Sequence, residues 1–298
     1  MDRIEALRTF VAVTSEGSFT KAADRLGIST QLVSKYVSQL EAHLGTRLLH
    51  RTTRKVSVTE AGATCVLQAQ QILSDMSDLE NQLGTLQDTV TGVLRISAPV
   101  SFSIHHLAPA LGAFQQRYPE VQVDLQLSDQ KIDLVENGFD IALRIGQLAN
   151  SSLVAKRLAD VRLVRCAAPS YLAKHGTPKT LDALTNHHYL HYSYAADAFF
   201  EGSPSIGLAK RPMVSNNGDV LVKAAIGGAG IVLQPTFIVG EAIANGQLQV
   251  ILKDDEPQLM GLYAVYANRQ WLSNKVRRFL DFMDGYFGSP PYWDEFES

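Results

Sequence analysis

The chain has few of the residues that stabilise small secreted or metal-bound domains. It contains two cysteines, Cys65 and Cys166, which give neither a disulfide framework nor the Cys/His spacing of a metal site. They are read either as small apolar fillers or as a redox-sensing pair. We therefore expect no metal site and no cofactor.

Long apolar runs are missing too. No stretch approaches the roughly 18 consecutive apolar residues of a membrane span, and the N-terminus has no apolar signal core. Of the 298 residues, 46% are hydrophobic and 19% are charged, which is typical of a globular chain. We expect two domains, a cytoplasmic location and no membrane partner.

Common enzyme motifs are missing as well. The sequence has no G-x-S-x-G elbow, no phosphate-binding P-loop and no Cys/His metal spacing. We expect a protein that is not an enzyme. Two alternatives stay open, namely an enzyme-like module fused to a DNA-binding domain and a DNA-binding oligomer without a ligand.

Charge is distributed unevenly along the chain. The net charge is −3, yet residues 1–60 carry nine Lys or Arg against six Asp or Glu. A weakly acidic whole therefore contains a basic N-terminal module, which is the charge expected of a nucleic-acid binder.

The basic module begins with two short amphipathic helices. Ser18 and Ser29 stand at N-cap positions, and Gly27 and Gly45 stand where each helix should end. Apolar residues recur at helical spacing on both: Phe19, Ala22, Ala23 and Leu26, then Val33, Val37, Leu40 and Leu44. Two capped helices joined by a glycine turn predict a helix-turn-helix.

The second helix should present a polar face. Its outward residues are short hydrogen-bonding side chains and one cation: Thr30, Gln31, Ser34, Lys35 and Ser38. These types suit base edges and phosphates, although an ordinary solvated face is the alternative.

A basic hairpin should follow. Five cationic or titratable residues fall within nine positions without an acid: Arg47, His50, Arg51, Arg54 and Lys55. Residues 56–58 then alternate apolar and polar as a strand does, which predicts a wing that touches the DNA backbone. The alternative is a merely solvated cationic turn.

A heptad pattern runs through residues 59–90. Thr59 can cap the helix that this pattern predicts. Apolar residues are spaced alternately by four and three: Cys65, Ala69, Ile72, Met76, Leu79, Leu83, Leu86 and Val90. This spacing predicts a helix that pairs with a second copy, although packing on its own domain would give a similar stripe.

Taken together, the blocks SFTKAADRLGIS, LEAHLGTRLLHRTTR and VTEAG resemble the winged helix-turn-helix of LysR-type transcriptional regulators. The usual family pattern has Gln-Pro or Gln-Ser at Thr30 and Gln31, whereas Ser34 and Lys35 match it. The resemblance implies binding to an interrupted palindrome in double-stranded DNA as a homodimer, with a homotetramer and RNA polymerase as further partners. The expected DNA-binding residues are Ser18, Thr20, Ser29, Thr30, Gln31, Ser34, Lys35, Arg51, Thr52 and Arg54.

The C-terminal part alternates strands and helices, which predicts mostly parallel sheets with helices on both faces. The layout resembles the two-lobed α/β effector domain of the same family, which is like type 2 periplasmic-binding proteins. The expected divisions are 1–58 for the DNA-binding domain, 59–90 for the linker helix and 91–298 for the effector domain, with lobe one at 92–163 and 268–298 and lobe two at 164–267. The tail SPPYWDEFES is expected to be loosely held.

Such lobes bind a small molecule between them, at strand carboxyl ends and helix N-termini. Arg144 ends a strand and suits the carboxylate of an effector, although an inter-lobe ion pair is the alternative. The expected effector-binding residues are Ser101, Phe102, Ser128, Arg144, Gly146, Asn217 and Gly228; each could instead be an ordinary loop or capping residue.

Overall fold

The computed structural model describes residues 2–51, 56–83, 90–130, 134, 137–147, 153–194, 209–267 and 272–297. Two of the expected DNA-binding residues, Thr52 and Arg54, lie outside these ranges. The chain divides into two compact units, which are described separately. The first contains residues 1–93 with two short later segments, and the second contains the remainder.

Three helices build the core of the first unit: α1 (Arg3–Glu16), α2 (Phe19–Leu26) and α3 (Thr30–Leu44). Each ends at a glycine in the left-handed conformation, at Gly17, Gly27 and Gly45. Their apolar faces meet in one cluster around Phe10, which is fully buried. The predicted helix-turn-helix is confirmed.

The hairpin and the next helix follow as predicted. Strand β1 (Leu49–Arg51) pairs antiparallel with β2 (Val56–Val58), and α4 (Glu60–Leu83) begins after Thr59. The Thr59 hydroxyl accepts the Gly62 amide at 2.9 Å, which caps α4. A side chain at Gly62 would overlap the Leu48 carbonyl, so the glycine lets α4 approach β1. Of the remaining predicted helical positions, Leu86 lies outside the described residues. Val90 is buried and not helical, two residues before the next strand, so the prediction of a helix through residue 90 is wrong at its end.

The second unit contains two five-stranded sheets. The first has the order β4 (Val121–Leu127), β3 (Gly92–Ala98), β5 (Ile141–Gly146), β12 (Met260–Tyr266) and β6 (Val154–Val161). Strands β3 and β5 are parallel, whereas β12 is antiparallel to both β5 and β6. The expectation of mostly parallel sheets is therefore wrong, because the chain returns from the other lobe in the opposite direction.

The second sheet has the order β11 (Gln249–Ile251), β7 (Leu163–Ala167), β10 (Ile231–Pro235), β8 (Tyr189–Tyr192) and β9 (Val214–Ser215). Strand β10 is parallel to β8 and antiparallel to β7. The two lobes are present, but the expected boundary after residue 267 is misplaced. Residues 260–266 form β12 of the first sheet, so the chain has re-entered lobe one by residue 260.

Helices cover both sheets. A continuous helical run begins with α5 (Val100–Phe102), passes through a π-helical segment at 103–107 and ends as α6 (Ala108–Arg117). The remaining α-helices are α7 (Pro169–His175), α8 (Gly218–Ile226), α9 (Thr236–Ala244) and α10 (Asn274–Met283). No helix in the described ranges has both the length and the apolarity to cross a membrane.

The tail is not loosely held, contrary to the expectation from its sequence. Residues 292–297 form a 3₁₀ helix, and Trp293 is buried against Phe102, Phe237 and Phe287. Its backbone comes so close to α9 that a side chain at Gly240 would meet the Trp293 carbonyl. Burial of the aromatic rings provides the anchoring that the acidic composition does not suggest.

Candidate nucleic-acid interface and effector cleft

Helix α3 presents the polar face that the sequence predicts. Val33, Val37 and Leu40 are buried against the first unit's core. On the other face Thr30, Gln31 and Lys35 are exposed, and Ser34 is half-buried beside them. A helix with one buried stripe and short polar groups opposite can enter a major groove and hydrogen-bond to base edges.

The two serines of the expected interface act as helix caps. The Ser18 hydroxyl accepts the Lys21 amide at 3.4 Å, and the Ser29 hydroxyl accepts the Leu32 amide at 3.2 Å. Each hydroxyl keeps its proton for donation, so a cap can also contact a phosphate. Thr20 lies exposed in the first turn of α2.

A buried acid that the sequence reading missed connects α3 to the wing. The Glu41 carboxylate accepts the amides of Leu48 and Leu49 through its Oε1 atom, at 2.9 and 3.2 Å. These bonds fix where β1 leaves the helix. The signal was available, because Glu41 is an acid in the last turn of α3, four positions after Val37, where the apolar pattern would place it inward.

The wing itself is only partly described. His50 is exposed and pairs with Ser57, while Arg51 pairs with Val56 as the last residue of β1. The Arg51 side chain, Thr52 and Arg54 lie outside the described residues, so the structure does not test their contacts.

The heptad seam of α4 divides into two parts. Cys65 packs against the core of its own unit and Ala69 is buried. Further along, Ile72, Met76 and Leu79 are 46%, 37% and 48% exposed. The alternative of packing on its own domain therefore holds for the first positions, whereas the next three form an apolar face open to a partner.

In the second unit, residues that follow the carboxyl ends of β4 and β8 contact each other where the two lobes meet, and we call this junction the cleft. Asp129, just after β4, accepts the Val100 amide at 3.0 Å. Burial, and then the Asp129 carboxylate, raise the pKa of Tyr192 from the opposite lobe. The Tyr194 hydroxyl receives Gln130 Nε2 at 2.9 Å and Asn216 Nδ2 at 3.4 Å.

Arg144 lies on the lobe-one side of this cleft. Its guanidinium donates to the Leu143 carbonyl at 2.9 Å and to the Ser97 hydroxyl at 3.2 Å. Burial lowers the pKa of Arg144, and the Asp129 carboxylate opposes that shift. Because Asp129 belongs to the same lobe, this charge pairing is not the inter-lobe ion pair considered from sequence.

A second polar contact crosses the cleft at the start of α8. The Ser101 hydroxyl donates to Asp219 Oδ2 at 2.6 Å, and His105 Nε2 lies 2.6 Å from Asp219 Oδ1. Asp219 and the two tyrosines were not among the expected site residues. The one sequence signal that could have identified Asp219 is its place as an acid in the first turn of a capped helix.

Three other expected effector residues lie at the ends of strands or helices or in the loops beside them. Asn217 caps α8 by accepting the Val220 amide at 3.1 Å, and the Ser128 hydroxyl accepts the Gln130 amide at 3.2 Å, both near the cleft. Gly146 closes β5, opposite Gly261.

Two of the expected effector residues do not reach the cleft. Phe102 has no exposed surface, since Phe237, Phe287 and Trp293 enclose it, so we assign it to the core. Gly228 follows the far end of α8, and the nine residues of that helix span about 13 Å from the end that Asn217 caps. It therefore lies apart from the other expected residues.

The environments of the two cysteines and the arrangement of metal-ligating side chains bear on two of the expectations from sequence. Burial raises the pKa of Cys65 and raises that of Cys166 to about 12, so neither is a ready thiolate. This favours apolar fillers over a redox pair. Among the described residues no group of three or more His, Cys, Asp or Glu side chains is arranged to hold a metal ion.

Comparisons with known proteins agree with this architecture. Residues 4–63 match the family model for the bacterial regulatory helix-turn-helix protein of the lysR family, and residues 87–287 match that for the LysR substrate binding domain. An uncharacterised HTH-type transcriptional regulator of Haemophilus influenzae is 38% identical over 281 residues, covering 93% of this chain and 98% of its own. The regulator CrgA of Neisseria meningitidis is 35% identical over 284 residues, covering 94% and 95%.

Solved structures give the same result. The structure of Neisseria meningitidis CrgA, a LysR-type transcriptional regulator, covers 99% of both chains at 34% identity with a TM-score of 0.60. Full-length AphB, a virulence activator of Vibrio cholerae, covers 95% of this chain and 98% of its own at 26% identity and a TM-score of 0.58. ArgP of Mycobacterium tuberculosis, 18% identical with a TM-score of 0.64 over 93% of this chain and 94% of its own, shares the fold.

Proposed function

The chain belongs to the LysR family of transcriptional regulators, and from this premise we propose that it binds an interrupted palindrome in DNA as a homodimer under the control of a small-molecule effector. The observation that carries the proposal is the exposed polar face of α3, with Thr30, Gln31 and Lys35 open on a helix fixed in a helix-turn-helix.

The DNA contacts divide by chemistry. Thr30, Gln31, Ser34 and Lys35 face outward on α3 and would reach base edges and nearby phosphates. The capping residues Ser18 and Ser29, with Thr20, would hold phosphates at the helix N-termini. We assign backbone contacts to Arg51, Thr52 and Arg54 of the wing because of their charge and their place in the sequence.

Dimerisation would pair the exposed apolar face of α4. A palindrome requires two recognition helices related by a two-fold axis, and pairing of Ile72, Met76 and Leu79 between two copies supplies that symmetry. Two such dimers would form the tetramer. RNA polymerase would be a further partner, and the site of action would be the cytoplasm, where bacterial DNA lies.

The effector would bind between the two lobes. Polar groups from both lobes converge there, among them the Ser101 hydroxyl, the Arg144 guanidinium and the Tyr194 hydroxyl. A small molecule bridging them would change the lobe arrangement and thereby the spacing of the paired recognition helices. Ser128, Asn217 and Gly146 line the adjoining loops.

The test begins with DNA binding by the full-length protein. We expect a footprint in the promoter region beside the protein's own coding sequence. Lys35→Ala should lower affinity for that site by about tenfold and change the preferred bases, whereas Lys174→Ala, an exposed lysine of α7, should leave both unchanged. Equal affinity of the two variants for the site would contradict the recognition-helix assignment.

The effector half of the proposal has its own measurement. A thermal-shift screen of small metabolites on the full-length protein should yield a compound that raises the melting temperature in a saturable manner. The same compound should alter the footprint. A confirmed ligand that leaves footprint, DNA bending and transcription unchanged would refute effector control.

A further inference from the structure

We propose that Ser101 and His105 form a carboxylate-binding subsite in the cleft, that Asp219 occupies it as a built-in ligand, and that the effector's carboxylate takes its place. The subsite stands on contacts within the protein alone. Its use by an effector rests on the function proposed above.

The geometry is that of a bound carboxylate. Both oxygens of Asp219 are engaged, one by the Ser101 hydroxyl and the other by the His105 ring, each at 2.6 Å. Ser101 and His105 are four positions apart on one helical run, which brings both donors to the same side. A hydroxyl and an imidazole converging on two oxygens would hold the carboxylate of a small molecule in the same way.

Asp219 enters the subsite from the other lobe, and helix α8 does not depend on its carboxylate. Asn217 already caps α8 by accepting the Val220 amide at 3.1 Å, so the helix does not need the Asp219 carboxylate as a cap. The His105 and Asp219 side chains are 36% and 29% exposed, so an external carboxylate can reach them. A rotation of the Asp219 side chain would free both donors.

The backbone amide at the start of this helix is not part of the subsite. The Val100 amide is already bonded to the Asp129 carboxylate at 3.0 Å, so the first-turn amide is occupied by a residue of the same lobe. Binding would therefore depend on the Ser101 and His105 side chains and not on the Val100 amide. A carboxylate that displaced Asp219 would remove one polar link between the lobes, which couples occupancy to lobe arrangement.

Acetate is the natural probe, because it reproduces the side chain of Asp219. In full-length Asp219→Ala, about 100 mM sodium acetate should raise the melting temperature by about 3 °C over sodium chloride of equal ionic strength, and the effect should saturate. The wild-type protein should shift by less than about 1 °C, since its subsite is filled. Acetamide, the neutral isostere, should have no effect on the variant.

The double variant Ser101→Ala/Asp219→Ala is the matched control and should lose the acetate effect. An equal acetate shift in the double variant, or none in Asp219→Ala, would overturn the proposal. If Asp219→Ala does not fold, Asp219→Ser, which suits a first helical turn, provides the same comparison. Failure of effector control alone would look different, because acetate would still stabilise the variant while no metabolite altered the wild-type footprint.

Discussion

Glu41 shows how one side chain can fix the relation between helix α3 and the hairpin that follows it. It is buried, and one of its oxygens receives two successive amides at the start of β1. Buried amides need a partner, since leaving one unpaired costs free energy. Glu41 thus stabilises the turn that carries the chain from the recognition helix into the wing.

We expect Glu41→Ala to reduce the free energy of unfolding of the first unit by about 2–3 kcal/mol, because the Leu48 and Leu49 amides lose their acceptor. Glu41→Gln keeps an acceptor oxygen and should cost less than about 1 kcal/mol. Urea unfolding of the full-length variants measures both values. Equal losses would mean that the charge, rather than the two hydrogen bonds, is the important property.

At the scale of the element, the apolar stripe of α4 is packed inward at its start and exposed further along. Its first turns pack on the core of the first unit through Cys65 and Ala69. Later turns carry large apolar side chains that remain exposed. We propose this exposed apolar stripe as the pairing surface, because burying it against a second copy would remove it from water.

Met76→Glu should weaken the dimer by about a hundredfold, since pairing would then bury a carboxylate in an apolar seam. Gln68→Glu adds the same charge to an exposed position of α4 away from the seam and should leave association unchanged. Sedimentation velocity over a range of concentrations measures the difference. The same oligomeric state for both variants would show that this face is not the interface.

At the scale of the whole molecule, the C-terminal segment ties the second unit together. His106 of lobe one is buried, and its Nε2 lies 2.9 Å from the Phe237 carbonyl at the start of α9 in lobe two. Its Nδ1 lies 2.7 Å from the Tyr292 hydroxyl of the tail. The carbonyl must accept from Nε2–H, so the neutral ring accepts from the tyrosine at Nδ1. Three distant segments thus meet at one imidazole.

Burial lowers the pKa of His106 below its ordinary value of about 6.5. As the pH falls below about 6.5, this histidine binds a proton in the unfolded chain but not in the folded chain. The free energy of unfolding therefore falls as the pH falls from neutral towards the folded pKa. We expect the melting temperature to drop by a few degrees between about pH 7.5 and 5.5. The pKa of His187 is also lowered, chiefly by burial, and adds to the same trend.

His106→Gln should flatten this pH profile while lowering stability at neutral pH, because the amide keeps hydrogen-bonding atoms but does not titrate. His43→Gln, at an exposed position of the first unit, should leave the profile unchanged. Scanning calorimetry at several pH values gives the slopes. An unaltered slope in His106→Gln would assign the effect to other groups.

The amino-acid sequence by itself determined the local elements of this protein. Apolar spacing, N-caps and glycines locate α2, α3 and α4, because a helix end and a buried face depend on neighbouring residues. The same spacing predicted which side of α3 is polar and exposed. These features were confirmed because short-range geometry specifies them.

Tertiary structure decided what distant residues do together. The antiparallel place of β12 in lobe one, the anchoring of Trp293 and the burial of Phe102 each depend on segments far apart in the chain. The bond between Ser101 and Asp219 joins residues 118 positions apart. No local spacing encodes such a pair, because its partners meet only after two sheets have formed and packed.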